Sequence, residues 1–192
     1  MMKAWKIALA VLLCACSADS EYSSDPCYFA YQNQYYLDPA LASAMDSQVR
    51  GVFCQITESQ SGGAIYLNFL NNSGLSSKQK ETSLELTAGY VLGVNNGIIV
   101  GFQTFNTTPN GGFAAYDLQC PNCLRKHSSA YNPRYQLTME SSGIATCKTC
   151  GKRYDMNTAG MVLNGEKGDV KLKQYIATTT GPHGFIQVKS RR

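Results

Sequence analysis

The chain has 192 residues, with 17 Lys and Arg, 13 Asp and Glu, and a formal net charge of +4. This length is enough for one domain with a substantial hydrophobic core. The small charge includes no long basic run, which excludes the strongly basic surface typical of nucleic-acid-binding proteins.

The first twenty residues have the features of a secretory signal. Lys3 and Lys6 precede an apolar run over residues 7–13, which is too short to span a bilayer. The run ends in Leu-Cys-Ala-Cys, whose last residue is Cys16, and these four residues resemble the lipobox of bacterial lipoproteins. The resemblance implies cleavage after residue 15 and acylation of Cys16. An ordinary signal peptide cut nearby would instead leave Cys16 as an unmodified thiol.

The lipobox resemblance also implies a location. The chain would be held in the bacterial cell envelope by the lipid on Cys16, because no second apolar stretch is long enough to cross a membrane. Ser17 follows the cysteine where an Asp would favour the inner membrane, so the resemblance favours the outer membrane. Small polar residues follow, and residues 16–26 are predicted to be a lipidated, flexible tether.

The remaining chain, residues 27–192, is predicted to be a single, mostly antiparallel β domain. Short runs rich in β-branched and aromatic residues alternate with Gly, Asn, Ser and Pro. The predicted strands cover residues 28–31, 52–56, 65–69, 97–104, 113–118, 135–139, 144–147, 175–178 and 185–188.

Only one helix has clear boundary signals. Asp38 is suited to cap it, Pro39 to occupy its first turn, and Leu41 and Met45 lie four residues apart on one face. A second candidate over residues 78–92 is ambiguous, because Thr and Gly residues interrupt it. The predicted fold is therefore mostly β with one short helix.

Two Cys-x-x-Cys pairs are the strongest chemical motif in the chain: Cys120 with Cys123, and Cys147 with Cys150. Four thiolates in this arrangement suit a tetrahedral zinc site, and they can also hold a single iron or a two-iron cluster. Residues 135–138 and 144–146 predict a hairpin that brings the two pairs together, within a metal-binding subdomain at about residues 118–156. The alternative is two disulfides in an oxidising compartment.

Cys27 and Cys54 lie outside these pairs. A disulfide between them would close a loop of 28 residues and would stabilise the fold by about 3 to 4 kcal/mol on the chain-entropy estimate. Both also lie in apolar runs, which is equally consistent with two buried free thiols.

Basic residues flank both pairs, and they could offset the negative charge of a metal tetrathiolate or simply form a solvated surface. They are Arg125, Lys126, Lys148, Lys152 and Arg153. The two histidines, His127 and His183, are expected at the surface or in turns. Gly151, directly after the second pair, is suited to the positive φ that such a turn needs.

Roughly the last half of the chain, residues 97–188, resembles a Rieske iron-sulfur domain. The resemblance rests on Asp117 at the end of a strand leading to Cys120 and Pro121, on Cys147 to Gly151 followed by Tyr154 and Asp155, and on the later Gly160. It implies an antiparallel Rieske-like β sandwich, here with a zinc-ribbon-like metal subdomain.

The ligand residues depart from the Rieske pattern. That family supplies one cysteine and one histidine from each box, whereas this chain has Asn122 and Cys150 at the two histidine positions and Cys123 one position later. Imidazole ligation raises the Rieske potential above that of an all-cysteine cluster. The electron chemistry of the family is therefore not expected to carry over unchanged.

The sequence thus predicts a lipid-anchored structural-zinc protein outside the cytoplasm, serving a binding or accessory role with an unidentified protein partner. The alternative is an electron carrier with a two-iron cluster or a single iron on the same cysteines. No nucleophile elbow, metalloprotease helix, phosphate loop or dinucleotide motif is present, and no catalytic residue is assigned.

Overall fold

The computed structural model describes residues 21–105, 111–127 and 132–191, and within them the chain is mostly β. It contains twelve strands, four short helices and two 3-10 turns, at Pro133–Tyr135 and Met156–Thr158. The strands are β1 (Tyr28–Gln32), β2 (Phe53–Ser61), β3 (Ala64–Asn71), β4 (Ser76–Lys80), β5 (Gly97–Phe102), β6 (Phe113–Asp117), β7 (Leu137–Met139), β8 (Ile144–Cys147), β9 (Arg153–Asp155), β10 (Met161–Val162), β11 (Gln174–Thr179) and β12 (Phe185–Lys189). The helices are α1 (Asn33–Tyr36), α2 (Pro39–Ala44), α3 (Ser83–Ala88) and α4 (Pro121–His127).

All nine predicted strands are present, and the prediction of a mostly antiparallel β fold is confirmed. Three strands were not predicted. β4 is a polar strand of sequence Ser-Ser-Lys-Gln-Lys at the edge of a sheet, and β9 and β10 have only three and two residues. An edge strand with little buried surface leaves no hydrophobic pattern to detect.

The described residues contain four helices, of which only α4 has seven residues or more. α2 begins as predicted, with the Asp38 carboxylate accepting from the Leu41 amide at 2.9 Å. The ambiguous segment divides into β4 and α3, whose capping box is formed by Thr82 and Glu85 and whose end is the left-handed Gly89. α1 and α4 were not anticipated.

The larger sheet has eight strands in the order β1-β12-β11-β6-β5-β2-β3-β4, and every neighbouring pair is antiparallel. β5 and β6 lie at its centre, with Val100 opposite Ala115. Every residue of these two strands is buried. Apart from Asp117 at the end of β6, their sequences are apolar without interruption, as expected from burial on both faces of the sheet.

Alternate residues of the central strands enter two different cores. Ile98 and Val100 join the core that α2 covers, together with Leu41 and Met45 from that helix. Ile99 points to the opposite face. The period of two along a strand therefore builds two hydrophobic layers from one sheet.

The second layer is covered by a four-stranded antiparallel sheet in the order β10-β9-β8-β7. Its core joins Ile99 and Tyr116 of the larger sheet to Leu137, Ala145 and Tyr154 of the smaller one. The two Cys-x-x-Cys pairs contribute to this same core. No helix within the described ranges is long and apolar enough to cross a membrane.

Candidate metal centre

The structure brings all four cysteines of the two pairs together. Their sulfur atoms lie within 4.8 Å of one another, as the sequence predicted. Cys120 follows β6 and Cys123 lies in the first turn of α4, while Cys147 ends β8 and Cys150 lies in the loop before β9. Cys120, Cys123 and Cys147 are buried, and Cys150 is partly exposed.

The first pair is arranged by the start of α4. The Leu124 amide donates to the Cys120 carbonyl at 3.1 Å, and the Cys120 amide donates to the Tyr135 carbonyl at 2.8 Å. The Cys123 amide points at the Cys120 sulfur and opposes part of the rise in its pKa that Cys147 and burial cause. Since the chain continues as a helix, the residue after Cys123 does not need the positive φ that glycine supplies.

The second pair lies in a tight turn. The Gly151 amide donates to the Cys147 carbonyl at 2.8 Å, and Gly151 has a φ of +70° with nothing near its position for a Cβ. This confirms the predicted role of that glycine. The amides of Thr149 and Cys150 point at the Cys147 sulfur and help to lower its pKa.

The predicted hairpin connects the two pairs. β7 and β8 are antiparallel, with Leu137 opposite Cys147, and Gly143 has a φ of +79° in the turn between them. A Cβ on Gly143 would lie 2.4 Å from the Asn157 amide nitrogen. The turn therefore depends on glycine for both backbone conformation and space.

The sulfur positions meet the requirement of a single tetrahedral ion. The Cys120 and Cys150 sulfurs are 3.7 Å apart, and so are those of Cys123 and Cys147. A zinc–sulfur bond of about 2.3 Å gives a tetrahedron edge of roughly 3.8 Å. The four thiols could therefore hold one metal ion with little rearrangement.

Cys120, Cys123 and Cys147 influence one another's protonation. The pKa of Cys147 is lowered, first by a hydrogen bond from Cys120 and then by the backbone amides of its turn. The pKa of Cys120 is raised because its thiol is held by Cys147, and burial raises the pKa of Cys123 to about 12. Four adjacent thiolates repel one another, so a bound cation is what would stabilise all four in the ionised state.

A buried tyrosine and asparagine extend the site. The Tyr154 hydroxyl lies 3.2 Å from the Cys120 sulfur, and the Asn122 amide donates to that hydroxyl at 2.9 Å. Asn122 is fixed in turn by two hydrogen bonds to the backbone of Val170, at 3.0 and 3.1 Å. This network was not predictable from the sequence, because the spacing of Tyr154 and Cys120 along the chain does not indicate that they meet.

The flanking basic residues divide into two groups. Lys152 pairs with Asp169 at 2.8 Å and Arg153 pairs with Glu140 at 3.0 Å, so carboxylates already balance both charges. Arg125, Lys126 and Lys148 are exposed, as on an ordinary solvated surface.

Neither histidine belongs to the cluster. His127 is exposed and stacks on Tyr135 with ring centres 5.3 Å apart, and His183 is also exposed. Their expected positions at the surface are confirmed.

Cys27 and Cys54 are both buried and both free, which is the second of the two alternatives left by the sequence. Both lie in the core beneath α2, and burial raises the pKa of each thiol. The predicted acylation site, Cys16, and the predicted signal fall in residues 1–20, outside the described ranges.

The two aspartates near the cysteines have structural partners. Asp155 accepts from the Asn157 amide and the Thr158 hydroxyl, capping the 3-10 turn that follows. Asp117 is buried and accepts from the Tyr175 hydroxyl and the Val94 amide.

Comparison with known proteins adds no family to these observations. No protein-family model matches the chain, and neither a curated protein nor a solved structure matches it.

Proposed function

We propose that this chain is a lipid-anchored protein of the bacterial cell envelope, in which a structural zinc ion holds a Rieske-like β fold together in a binding or accessory role. The observation that carries the metal part is the cluster of four sulfurs within 4.8 Å. The lipid anchor is supported by the Leu-Cys-Ala-Cys sequence ending at Cys16.

The compactness of the cluster favours a single ion over a two-iron cluster. In a two-iron cluster each iron carries two thiolates, so the bridged irons separate the two thiolate pairs. Here all four sulfurs lie within 4.8 Å of one another, so no two of them are set apart from the other two. This geometry supports one tetrahedral centre to which both pairs contribute.

A structural role is favoured by the closed ligand set. Four thiolates complete the tetrahedron that zinc prefers, whereas catalytic zinc sites use three protein ligands and leave a position for water or substrate. Three of the four cysteines are fully enclosed by the core of the smaller sheet. Bound zinc would cross-link the end of β6, the start of α4 and the end of β8.

The Rieske-like part of the proposal rests on the order of elements around the cysteines. β6 leads to Cys120, a hairpin of β7 and β8 leads to Cys147, and Tyr154 and Asp155 follow the second pair. Neither histidine ligand of the Rieske pattern is present. This supports a metal that stabilises the fold.

Metal analysis of the purified, processed chain tests the proposal directly. We expect about one zinc per chain by inductively coupled plasma mass spectrometry and no visible absorption. Iron with visible absorption and a redox-dependent paramagnetic signal would establish the electron-carrier alternative instead. A chain that contains neither metal would contradict the metal role altogether, and mass spectrometry of its N-terminus would separately test acylation of Cys16.

A further inference from the structure

A polar groove of about 730 Å³ lies beside the second cysteine pair. Gln55 of β2 and Leu70 of β3, which lie opposite each other in the larger sheet, line one part of it. Met139 of β7 lines another, and the exposed Arg134 and Lys148 contribute its positive charge. We call this the β7 groove.

β7 presents an open strand edge to this groove. It is the last strand of the smaller sheet, paired with β8 on one side only. The Glu140 amide donates to the Ile144 carbonyl across the hairpin. Hydrogen-bonded and non-hydrogen-bonded pairs alternate in an antiparallel ladder, so the backbone N–H and C=O of Met139 point away from β8.

The edge of β7 that faces away from β8 is hydrogen-bonded only at the start of the strand. The Leu137 amide donates to the Leu118 carbonyl, and Gln136 forms an isolated bridge with Gln119. Within the described part of the chain, no backbone group pairs with Met139 on that side. An unpaired edge of this kind can accept an added strand from another chain.

The charges around the groove are of one sign. Among the described residues, Arg134 and Lys148 line it, no Asp or Glu does, and neither cation forms an ion pair. A second depression of about 590 Å³ shares Gln55 and Leu70 and is lined by Lys78, and no carboxylate in the described part of the chain lines it. The groove therefore favours a negatively charged ligand.

The groove lining favours a peptide over a sugar. No aromatic ring of a described residue lines the β7 groove, so this part of the chain offers it no flat apolar platform of the kind that an aromatic face provides. It combines an open backbone edge with apolar contacts from Leu70, Leu137 and Met139. Main-chain hydrogen bonds with pockets for alternate side chains are the recognition mode of an added β-strand.

We infer that the β7 groove binds an extended acidic peptide segment of a partner protein, which adds to β7 as a further strand. Carboxylates of the peptide pair with Arg134 and Lys148, and its backbone pairs with Met139. This inference rests on the binding role in the proposed function. It does not depend on which metal occupies the four thiols, since none of them lines the groove.

The test uses a fluorescent peptide of alternating Asp and Val, and the full processed protein. We expect saturable binding by fluorescence anisotropy that weakens as salt is added. In NMR, the Met139 amide should shift and become protected from hydrogen exchange. A peptide with N-methyl groups on alternate amides has the same charge but cannot extend the ladder, and it should not bind.

Variants with reversed charges test whether the peptide binds in the β7 groove. Arg134→Glu combined with Lys148→Glu should weaken binding by about tenfold or more, since two attractive pairs become repulsive. Lys171→Glu combined with Lys189→Glu is the matched control, because both lysines are exposed and outside the groove. The control should bind like the unaltered protein. Arg134→Gln with Lys148→Gln gives a second, milder variant with a smaller loss.

Metal content measured on the same samples separates this inference from the proposed function. Unchanged metal with weakened binding in the groove variants supports the groove. Equal affinity in groove and control variants overturns it, as does binding of the N-methylated peptide. A sulfated oligosaccharide that binds in the groove when the acidic peptide does not would also overturn it.

Discussion

The Tyr154 hydroxyl lies 3.2 Å from the Cys120 sulfur, and both side chains are fully buried. The Asn122 amide donates to the same hydroxyl at 2.9 Å, which leaves the hydroxyl proton free to be donated to the sulfur. A thiolate ligand is stabilised by such a donor. Tyr154 therefore links the smaller sheet to the first cysteine pair through a hydrogen bond as well as through packing.

Replacing this tyrosine should weaken the metal site without destroying it. Tyr154→Phe keeps the ring but removes the donor to the Cys120 sulfur, and we expect zinc affinity to fall by about tenfold. Competition with a chromogenic zinc chelator would measure the change. Tyr135→Phe is the matched control: Tyr135 belongs to the same core, but the side-chain hydrogen bonds at the four sulfurs involve Tyr154 and the cysteines themselves. Equal affinities of the two variants would show that the Tyr154 hydroxyl has no influence on the metal.

Loss of one ligand should affect the two cores unequally. Cys147→Ser removes a ligand from the core beneath the smaller sheet. We expect the variant to lose its metal and at least about 3 kcal/mol in the free energy of unfolding. Hydrogen exchange should accelerate in β7, β8 and β9, while strands β11 and β12 stay protected.

Cys54→Ser is the control for that experiment. Cys54 is buried in the core beneath α2, whereas the metal ligands belong to the core beneath the smaller sheet. It should keep its full metal content. A Cys147→Ser protein with normal metal content and an unchanged melting temperature would contradict a structural metal at this site.

The free energy of unfolding should fall as the pH rises, because of Glu81. Burial, together with the neighbouring Glu58, raises the pKa of Glu81 from its usual value near 4.5 to about 7. Between these two values the folded state binds more protons than the unfolded state, so the free energy of unfolding falls as pH rises. This contribution is fully present below pH 4.5 and is lost above pH 7.

Glu81→Gln should remove this pH dependence. The neutral amide can replace the protonated carboxyl beside Glu58, and we expect a gain of about 1 to 2 kcal/mol in the free energy of unfolding at pH 8, a figure reduced for solvent screening. Urea unfolding at several pH values would measure it. Glu58→Gln, which removes the neighbouring like charge, should shift the pH transition downward. A variant with the slope of the unaltered protein would refute the assignment to Glu81.

Close packing at the centre of the larger sheet predicts a further sensitive position. A Cβ on Gly101 would lie 2.3 Å from the Val52 carbonyl oxygen and 2.7 Å from the Phe53 ring. Since backbone atoms cannot move aside cheaply, Gly101→Ala should cost about 2 to 3 kcal/mol. Gly62→Ala, in the β2–β3 turn with nothing within 4 Å, should cost only about 1 kcal/mol through its positive φ. Thermal unfolding would compare the stability of the two variants. Equal losses of stability would show that the close contact with Val52 does not destabilise Gly101→Ala.

The strands of the core were predictable because their apolar residues repeat with the strand period or run without interruption. β5 is an example: burial on both faces leaves six consecutive buried residues from Gly97 to Phe102. β4 was missed for the opposite reason, since its alternating exposure involves only Ser, Lys and Gln. α4 was missed because Pro121 and the cysteines obscure a helix of only seven residues.

The candidate metal site was predictable in its ligands but not in its surroundings. Local spacing by itself determined that Cys120 with Cys123, and Cys147 with Cys150, can each chelate an ion, because two residues between ligands allow both sulfurs to face the same point. Only the tertiary structure decided three other features. They are the contact of Tyr154 with Cys120, the free state of Cys27 and Cys54, and the groove beside β7. The first and the last depend on how the smaller sheet lies over β5 and β6 and on which strand edge it leaves open, whereas the two free thiols depend on the packing of the other core beneath α2. Such long-range packing depends on shape and burial across the whole chain, which no local pattern of residues contains.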